Sequence, residues 1–186
     1  GLILKTNVSK NCYIDREMTA NQLKSVLAPY GDTKCSVYLL HGDMNDNEMI
    51  SLYKHEKVKA FVSLTHGEGF GLPIFEAAYS GLPVVSPGWS GQVDFLYAPV
   101  ENEKSGRVKK VPLFTKIKYD LRDVEPAAVW KGVINEGTKW CYVDEGSYKK
   151  ALRNSYEAIA SKENMALQLQ EYLKKEFSEE IIVIFA

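Results

Sequence analysis

The sequence predicts an α/β fold in which helices cover both faces of a doubly wound parallel sheet. Four short apolar segments have strand character, at residues 2–5, 36–40, 59–64 and 82–86. Helical patterns separate these segments along the chain. Strands that alternate with helices are typical of a parallel sheet, and right-handed crossovers then place helices on both sides of it.

Helix boundaries are marked by capping and breaking residues. A capping box formed by Thr19 and Gln22 predicts a first helix that ends near Leu27, and Asn45 with Glu48 predicts a second start. The segment 59–64 has few polar positions and is expected to be a central strand. Pro73 is expected at the first position of a third helix, and Gly81 just after its end.

Beyond Tyr97 the alternation weakens. Residues 100–126 are interpreted as an insertion that contains a hairpin at 111–119. Helical patterning predicts helices at 127–134 and 146–162, and a C-terminal helix and tail over 163–186. The length of 186 residues fits one domain. Both ends look cut within structure, because the chain opens on a strand and closes on the apolar run 181–186, so we expect a fragment of a longer protein.

Composition excludes several functional classes. The formal net charge of -1 gives no electrostatic reason to expect nucleic acid as the main partner, because such binding usually needs a basic face. No apolar run approaches the roughly 20 residues that cross a bilayer, so no transmembrane segment is expected. Three widely spaced cysteines, Cys12, Cys35 and Cys141, predict reduced thiols in a cytoplasmic protein. Lys109 and Lys110 are interpreted as solvated surface, with contact to an acceptor or to a membrane surface as the alternative.

The chemistry concentrates in the loop that follows the third strand. Ligands of open parallel sheets bind beyond the carboxyl ends of the strands, where this loop begins at His66. Gly67, Gly69 and Gly71 lack side chains and let a ligand approach the backbone closely. The loop leads into the helix at Pro73, whose free N–H groups and dipole favour an anion such as a diphosphate.

Two glutamates flank this loop. Glu76 follows in the new helix, where side chains lean towards the N-terminus, so its carboxylate can face the ligand and accept hydrogen bonds from a ribose diol. Glu68 lies eight positions earlier in the loop. We expect both carboxylates to face one cleft.

The run from Glu68 to Glu76, EGFGLPIFE, resembles the E-x7-E element of retaining GT-B glycosyltransferases, the family 4-like enzymes also called glycosyl transferases group 1. The continuation AAYSGLPVVS at 77–86 is similar to that family's usual EAxxxGxPVV run. Residues 89–94 resemble its small-residue loop that ends in an acid, although the family more often has two glycines and a glutamate there. The resemblance extends from about Val37 to Leu96.

This resemblance implies a Rossmann-like C-terminal half of a GT-B enzyme, which binds a nucleotide diphosphate sugar and transfers its glycosyl group with retention. It implies that Glu76 holds the ribose, that Glu68 lies beside the transferred sugar as the catalytic residue, and that the loop at 41–44 lies near the base. Donor-binding residues are then expected at His66, Gly67, Gly69, Phe70, Gly71, Leu72, Glu76, Gly42, Met44, Ser90 and Gly91.

The resemblance also implies no cofactor and no metal, since protein donors and helix dipoles stabilise the leaving diphosphate in such enzymes. The family's Arg and Lys from the opening strand-loop are missing, and Lys5 is an imperfect substitute. The N-terminal acceptor-binding domain lies outside the sequence. We therefore expect this chain alone to transfer little or no sugar.

Two other functional classes remain open. Gly67-x-Gly69 could begin a dinucleotide-binding fingerprint, but Leu72 stands where the third glycine belongs and the strand that should end in an acid ends in Ser86-Pro87. A non-catalytic nucleotide- or sugar-binding module is the other alternative. His66 either donates a hydrogen bond to a sugar hydroxyl or phosphate, or only shapes the turn.

Overall fold

A computed structural model describes residues 1–102 and 105–177 of the chain. The chain divides into two compact units, Gly1–Met49 and Ile50–Ala186. The part of the predicted tail from 178 onwards lies outside the described residues. The single domain, the insertion at 100–126 and the segment 163–186 stay predictions as domain boundaries.

The first unit contains a parallel strand pair joined through a helix. Strand β1 (Leu2–Lys5) leads to α1 (Tyr13–Leu27), and β2 (Val37–Leu40) then pairs with β1 in parallel register, with Leu2 opposite Val37. Helix α2 (Asp46–Tyr53) follows. Both strands and the end of α1 lie where the sequence predicted them.

The predicted start of α1 is wrong. Thr19 is buried in the middle of the helix, and its hydroxyl donates to the Asp15 carbonyl oxygen at 2.8 Å instead of capping the N-terminus. The carboxylate of Asp15 accepts the backbone N–H groups of Ser9, at 2.9 Å, and Val8, at 3.3 Å. It thereby anchors the loop that precedes the first turn of α1. That turn begins at Tyr13, earlier than the start predicted at Thr19. By contrast, the capping box of α2 is confirmed, since the Asn45 N–H donates to Glu48 Oε2 at 2.8 Å and the Glu48 N–H to Asn45 Oδ1 at 3.0 Å.

The second unit is built around a three-stranded parallel sheet. Strand β3 (Phe61–Val62), helix α3 (Leu72–Tyr79) and strand β4 (Val84–Pro87) form a strand-helix-strand unit. The chain continues through α4 (Val93–Leu96), β5 (Tyr97–Glu101) and β6 (Val108–Pro112) to β7 (Thr115–Ile117), which pairs with β4 in parallel. Strand β4 is the middle strand of this sheet and β3 flanks it, so the prediction of β3 as its central strand is wrong.

The antiparallel pairs differ from the predicted hairpin. Strands β5 and β6 pair with each other, whereas β7 joins the parallel sheet, so no hairpin forms over 111–119. Strand β8 (Tyr119–Asp123) pairs with β9 (Lys139–Val143), a strand that the sequence patterns did not indicate. The helix predicted at 127–134 is wrong, since only a single 3-10 turn occurs there, at Pro126–Ala128.

Two helices complete the second unit, α5 (Glu145–Glu157) and α6 (Ile159–Glu176). Their break lies at Ala158, four residues before the predicted one at Lys162. None of the helices within 1–102 and 105–177 combines the length and apolar character needed to cross a membrane.

Helices cover both faces of the three-stranded sheet. Val84 packs in a cluster with Ile74 of α3 and with Leu169 and Leu173 of α6. Val85 packs on the opposite side, in a cluster with Ala151 of α5. Because neighbouring strand residues point to opposite faces, the apolar run of β4 is explained by helices on both sides. This mixed α/β arrangement with parallel strands agrees with the α/β class that the sequence predicts.

Candidate functional site

The candidate site of the second unit lies at the carboxyl edge of its parallel sheet. The loop that carries His66 to Gly71 follows β3, and the loop that carries Trp89 to Gly91 follows β4. Because β3 and β4 are parallel neighbours, both loops leave the sheet at the same edge. Tyr119, which follows β7, reaches this edge too and donates its hydroxyl to the Gly88 carbonyl oxygen at 3.2 Å.

The structure requires glycine at only some of the glycine positions of the first loop. Gly71 has a φ of 90° at the N-cap of α3, a left-handed conformation that disfavours side chains. Among the residues that the structure describes, a Cβ on Gly69 would meet no atom within 4 Å. One on Gly67 would make only ordinary contacts, the nearest being Ser90 Oγ at 3.4 Å. The fold therefore explains Gly71 but does not require glycine at positions 67 and 69.

The start of α3 presents unused backbone donors. The N–H groups of Gly69, Phe70, Gly71 and Leu72 donate to no acceptor within the described parts of the chain. Pro73 is the second residue of α3, one position later than predicted, and its missing N–H breaks no bond there. The arrangement is a short row of backbone donors at the positive end of a helix dipole, which is suited to an anion.

The second loop holds the first loop in place. Ser90 Oγ donates to the Glu68 carbonyl oxygen at 2.6 Å and accepts the Glu68 N–H at 3.1 Å, while the Gly91 N–H donates to the same carbonyl at 3.1 Å. A Cβ on Gly91 would lie 2.0 Å from the Gly69 oxygen, so only glycine permits this approach. Ser90 and Gly91 thus support the loop that carries Glu68.

Ser90 itself adopts a φ of 68°, which is costly for a residue with a side chain. Two residues later, Gln92 is fully buried, and its Nε2 donates to the Pro87 carbonyl oxygen at 3.2 Å. Its Oε1 is the buried side-chain oxygen left without a partner among the residues described. Strain and an unsatisfied acceptor therefore both occur in the loop that backs the site.

The two glutamates differ in how they are held. Glu76 is half-buried on α3, and the hydroxyl of Tyr53 donates to its Oε2 at 3.2 Å. Burial, followed by the Glu76 charge and this hydrogen bond, raises the pKa of Tyr53, so the phenol stays protonated and keeps donating. Glu68 is also half-buried, but no side chain in the described residues pairs with its carboxylate. One carboxylate is therefore oriented and the other is unengaged.

His66 is bound to β9 rather than to the glycine-rich loop. Its Nδ1 lies 2.7 Å from the Cys141 carbonyl oxygen, and its own carbonyl accepts the Cys141 N–H at 3.0 Å. The imidazole stacks on Trp140 with ring centroids 4.7 Å apart and an interplanar angle of 10°. Tyr142 approaches the same ring at 4.7 Å.

Two of the predicted donor-binding residues, Gly42 and Met44, belong to the first unit. Gly42 is buried with a φ of 94°, and a Cβ there would lie 2.3 Å from Asn11 Oδ1. Its carbonyl accepts the ammonium group of Lys5. Met44 is half-buried. The local structure thus explains Gly42 by packing and leaves its role towards a ligand a prediction.

The first unit also contains a buried ion-pair geometry that the sequence did not indicate. His41 Nε2 lies 2.8 Å from Asp15 Oδ2, and both side chains are 5% exposed. The hydrogen bond from His41, opposed by burial and aided by the N–H groups of Ser9, Val8 and Lys10, lowers the pKa of Asp15. This pair ties α1 to the loop after β2.

Several residues at the second unit's site were missed by sequence reasoning. Trp140, Cys141 and Tyr142 lie on β9, whose apolar run at 140–143 is too short for periodicity to distinguish a strand from a helix. Tyr53 carried a usable signal, since it falls on the apolar face of a predicted helix and a buried tyrosine hydroxyl needs a partner. In the described residues, no three His, Cys, Asp or Glu side chains group to hold a metal ion. Metal independence stays a prediction.

Comparison with known proteins gives one match. Residues 36–102 match the family model described as Glycosyl transferases group 1. No curated protein and no solved structure matches the chain significantly. The matched segment contains β2, α2, the glycine-rich loop, α3, β4 and the Ser90-Gly91 turn. Over these residues the chain is similar to the group 1 glycosyl transferases, and the match supports a glycosyltransferase with a sugar donor as substrate.

Proposed function

We propose that this chain binds a nucleotide diphosphate sugar and acts as the C-terminal, donor-binding half of a retaining GT-B glycosyltransferase. The observation that carries the proposal is the row of N–H groups at Gly69 to Leu72 that have no acceptor among the described residues. This row leads into α3, the helix that carries Glu76. A diphosphate suits the donors, and a carboxylate suits the ribose diol. The family match over 36–102 supports the glycosyl transfer.

The glycines support the proposal independently of the resemblance. Gly67 and Gly69 are exposed, and no atom of residues 1–102 and 105–177 prevents a side chain at either position. A glycine that the fold does not require is explained by close approach of a ligand to the backbone. The neighbouring Gly71 and Gly91 are explained by conformation and by packing, so the contrast separates the two causes within one loop.

Glu76 is proposed as the ribose ligand and Tyr53 as the residue that positions it. The Tyr53 hydroxyl uses one lone pair of Oε2, which leaves Oε1 and the rest of Oε2 to accept from a diol. Glu68 is proposed beside the transferred sugar, since its carboxylate has no partner within the described chain. Lys5 and the base contacts near Gly42 and Met44 rest on the resemblance alone.

The test is calorimetric titration of the chain with UDP-glucose, GDP-mannose, ADP-glucose and NAD. We expect one nucleotide sugar to bind, and Glu76→Ala to weaken its binding by roughly tenfold to a hundredfold, because hydrogen bonds to a charged group contribute about 1.5–3 kcal/mol each. Tyr53→Phe should weaken it less. Glu157→Ala, an exposed glutamate of α5, is the matched control and should have no effect.

If Glu76→Ala binds the same nucleotide sugar as tightly as wild type does, the ribose contact is refuted. Binding of NAD in preference to every nucleotide sugar would favour the dinucleotide alternative. Under the proposal, transfer also needs an acceptor-binding domain, so the chain alone should show no turnover with the bound donor and a set of sugar acceptors. Measured turnover would contradict that part.

A further inference from the structure

The imidazole of His66 is fixed by contacts that determine which nitrogen carries the proton. Nδ1 lies 2.7 Å from the Cys141 carbonyl oxygen. A carbonyl has no hydrogen to donate, so Nδ1 must be the donor in this bond. In a neutral imidazole one nitrogen donates and the other accepts. Nε2 of neutral His66 is therefore a lone-pair acceptor.

Nε2 is also unengaged. No hydrogen bond to it occurs within the residues that the structure describes, and His66 is an exposed residue. The two nitrogens of the ring point in diverging directions, so Nε2 faces away from the β9 carbonyl that holds Nδ1. A well-oriented acceptor is thus presented two residues before Glu68, in the loop proposed to bind the donor.

The ring is held against rotation by its neighbours. Trp140 stacks on it in near-parallel geometry, and Tyr142 contacts it at a tilt of 50°. Tyr142 is in turn covered by the Arg122 guanidinium, 5.3 Å from the ring centroid, and Arg122 pairs with Asp120 at 3.3 Å. A flip of the imidazole would place a C–H group against the Cys141 carbonyl and lose the 2.7 Å bond.

We propose that His66 binds a hydroxyl of the glycosyl group by accepting a hydrogen bond from it at Nε2. Trp140 is the positioning residue for this contact. The inference rests on the proposed function, since it names the part of the nucleotide sugar that His66 contacts. A lone pair repels a phosphate oxygen and attracts an O–H group. The neutral Nδ1–H tautomer therefore selects the sugar hydroxyl over the diphosphate, the two partners between which the sequence could not decide.

The contact is measured as the ratio of the dissociation constant of a nucleoside diphosphate to that of the corresponding nucleotide sugar. UDP with UDP-glucose, GDP with GDP-mannose and ADP with ADP-glucose are the probes. We expect the wild-type ratio to exceed one for the sugar that binds. His66→Phe, which keeps a ring for Trp140 to stack on, should reduce the ratio by about threefold to tenfold, the effect of one lost hydrogen bond.

Binding of the parent diphosphate should be unchanged in His66→Phe. His66→Gln, whose amide oxygen can accept, should recover part of the ratio, and Trp140→Leu should lower it while leaving the diphosphate affinity unchanged. His55→Phe, an exposed histidine after α2, is the matched control. Far-UV circular dichroism establishes that each variant is folded.

Nitrogen NMR of the wild-type chain gives a readout that does not depend on variants. The unprotonated ring nitrogen of His66 should be Nε2, and its signal should shift with the nucleotide sugar but not with the parent diphosphate. A neutral His66 that carries its proton on Nε2 in the unbound chain, or a ratio unchanged in His66→Phe, would overturn the inference and leave the proposed function standing. Failure of every nucleotide and nucleotide sugar to bind would overturn both.

Discussion

Individual residues in and around the glycine-rich loop have different structural roles. Gly71 sets the left-handed entry into α3, and Gly91 permits the backbone of the second loop to approach Gly69. Ser90 joins the two loops through both polar groups of Glu68. Gly67 and Gly69 have no such internal role. The same residue type in one motif therefore serves conformation, packing and, under the proposed function, ligand access.

This division makes a prediction for two matched substitutions. Gly69→Ala should leave the free energy of unfolding within about 0.5 kcal/mol of wild type, since the new methyl group enters open space. It should nevertheless weaken nucleotide-sugar binding by roughly tenfold or more, because the methyl group occupies space that the ligand needs next to the backbone. Gly71→Ala should instead cost about 1–2 kcal/mol of stability, because its φ of 90° is strained for alanine.

Urea unfolding measures the stabilities and calorimetry the affinities of both variants. The outcome that would contradict the ligand-access interpretation is a stable Gly69→Ala chain that binds as tightly as wild type. Loss of stability in that variant would show that the fold does depend on glycine at this position.

At the scale of elements, local signals predicted helix ends well where backbone bonds close within one turn. Gly81 follows α3 with a φ of 82°, its N–H donates to Ala78, and the Leu82 N–H donates to Ala77, both at 3.0 Å. This is a Schellman motif, as expected from glycine at the helix end. The capping box of α2 is local in the same way. The prediction of Thr19 as the N-cap of α1 was wrong because the helix begins earlier, where Asp15 contacts a loop and a histidine that is distant in sequence.

The capping box supports the helix that carries Tyr53. Asn45→Ala should lower the free energy of unfolding by about 1 kcal/mol, because the Glu48 N–H loses its acceptor. Glu48→Ala should cost less, since the Asn45 N–H that it leaves is exposed to water. The two changes should not be additive, because each removes one half of a reciprocal pair.

A double-mutant cycle followed by urea unfolding measures this coupling. Additive costs would show that the two bonds act independently. A destabilisation well below 0.5 kcal/mol in Asn45→Ala would show that the cap contributes little to this helix.

At the scale of the whole molecule, the buried apolar core belongs to the second unit. Every fully buried hydrophobic side chain among residues 1–102 and 105–177 lies at or after Tyr53. In the first unit the buried side chains are those of Asp15, Thr19 and His41, and the His41 side chain that contacts Asp15 is 5% exposed. A unit of this size without buried apolar side chains gains little from the hydrophobic effect, so its polar contacts carry more of its stability.

The first unit should therefore lose stability in acid. Folding lowers the pKa of Asp15 below its ordinary value of 3.8, mainly through the hydrogen bond from His41. A carboxylate with a lowered pKa stabilises the folded state above the ordinary value, and this stabilisation is lost as the pH falls through the lowered one. Amides of residues 1–49 should thus be better protected from hydrogen exchange at about pH 6 than at about pH 3, after correction for intrinsic rates.

Asp15→Asn is the control, since its side chain does not ionise. Its amides should be much less protected from hydrogen exchange than those of wild type at about pH 6, and the difference should shrink at about pH 3. A difference that is the same at both pH values would show that the charge of Asp15 does not stabilise the unit. Protection of β4 and α6 should not follow the state of Asp15.

The sequence by itself determined the α/β class, the strands β1, β2 and β4, the C-terminal ends of α1 and α3, and the loop that leads into α3. These features depend on hydrophobic periodicity and on hydrogen bonds within one or two turns, which neighbouring residues decide. Only the tertiary structure decided that β7 joins the parallel sheet and that β9 exists. It also decided that His66 binds Cys141, that Glu76 binds Tyr53 and that Asp15 binds His41. Such partners lie 23 to 75 positions apart, and their pairing is set by packing of the whole unit rather than by any local pattern.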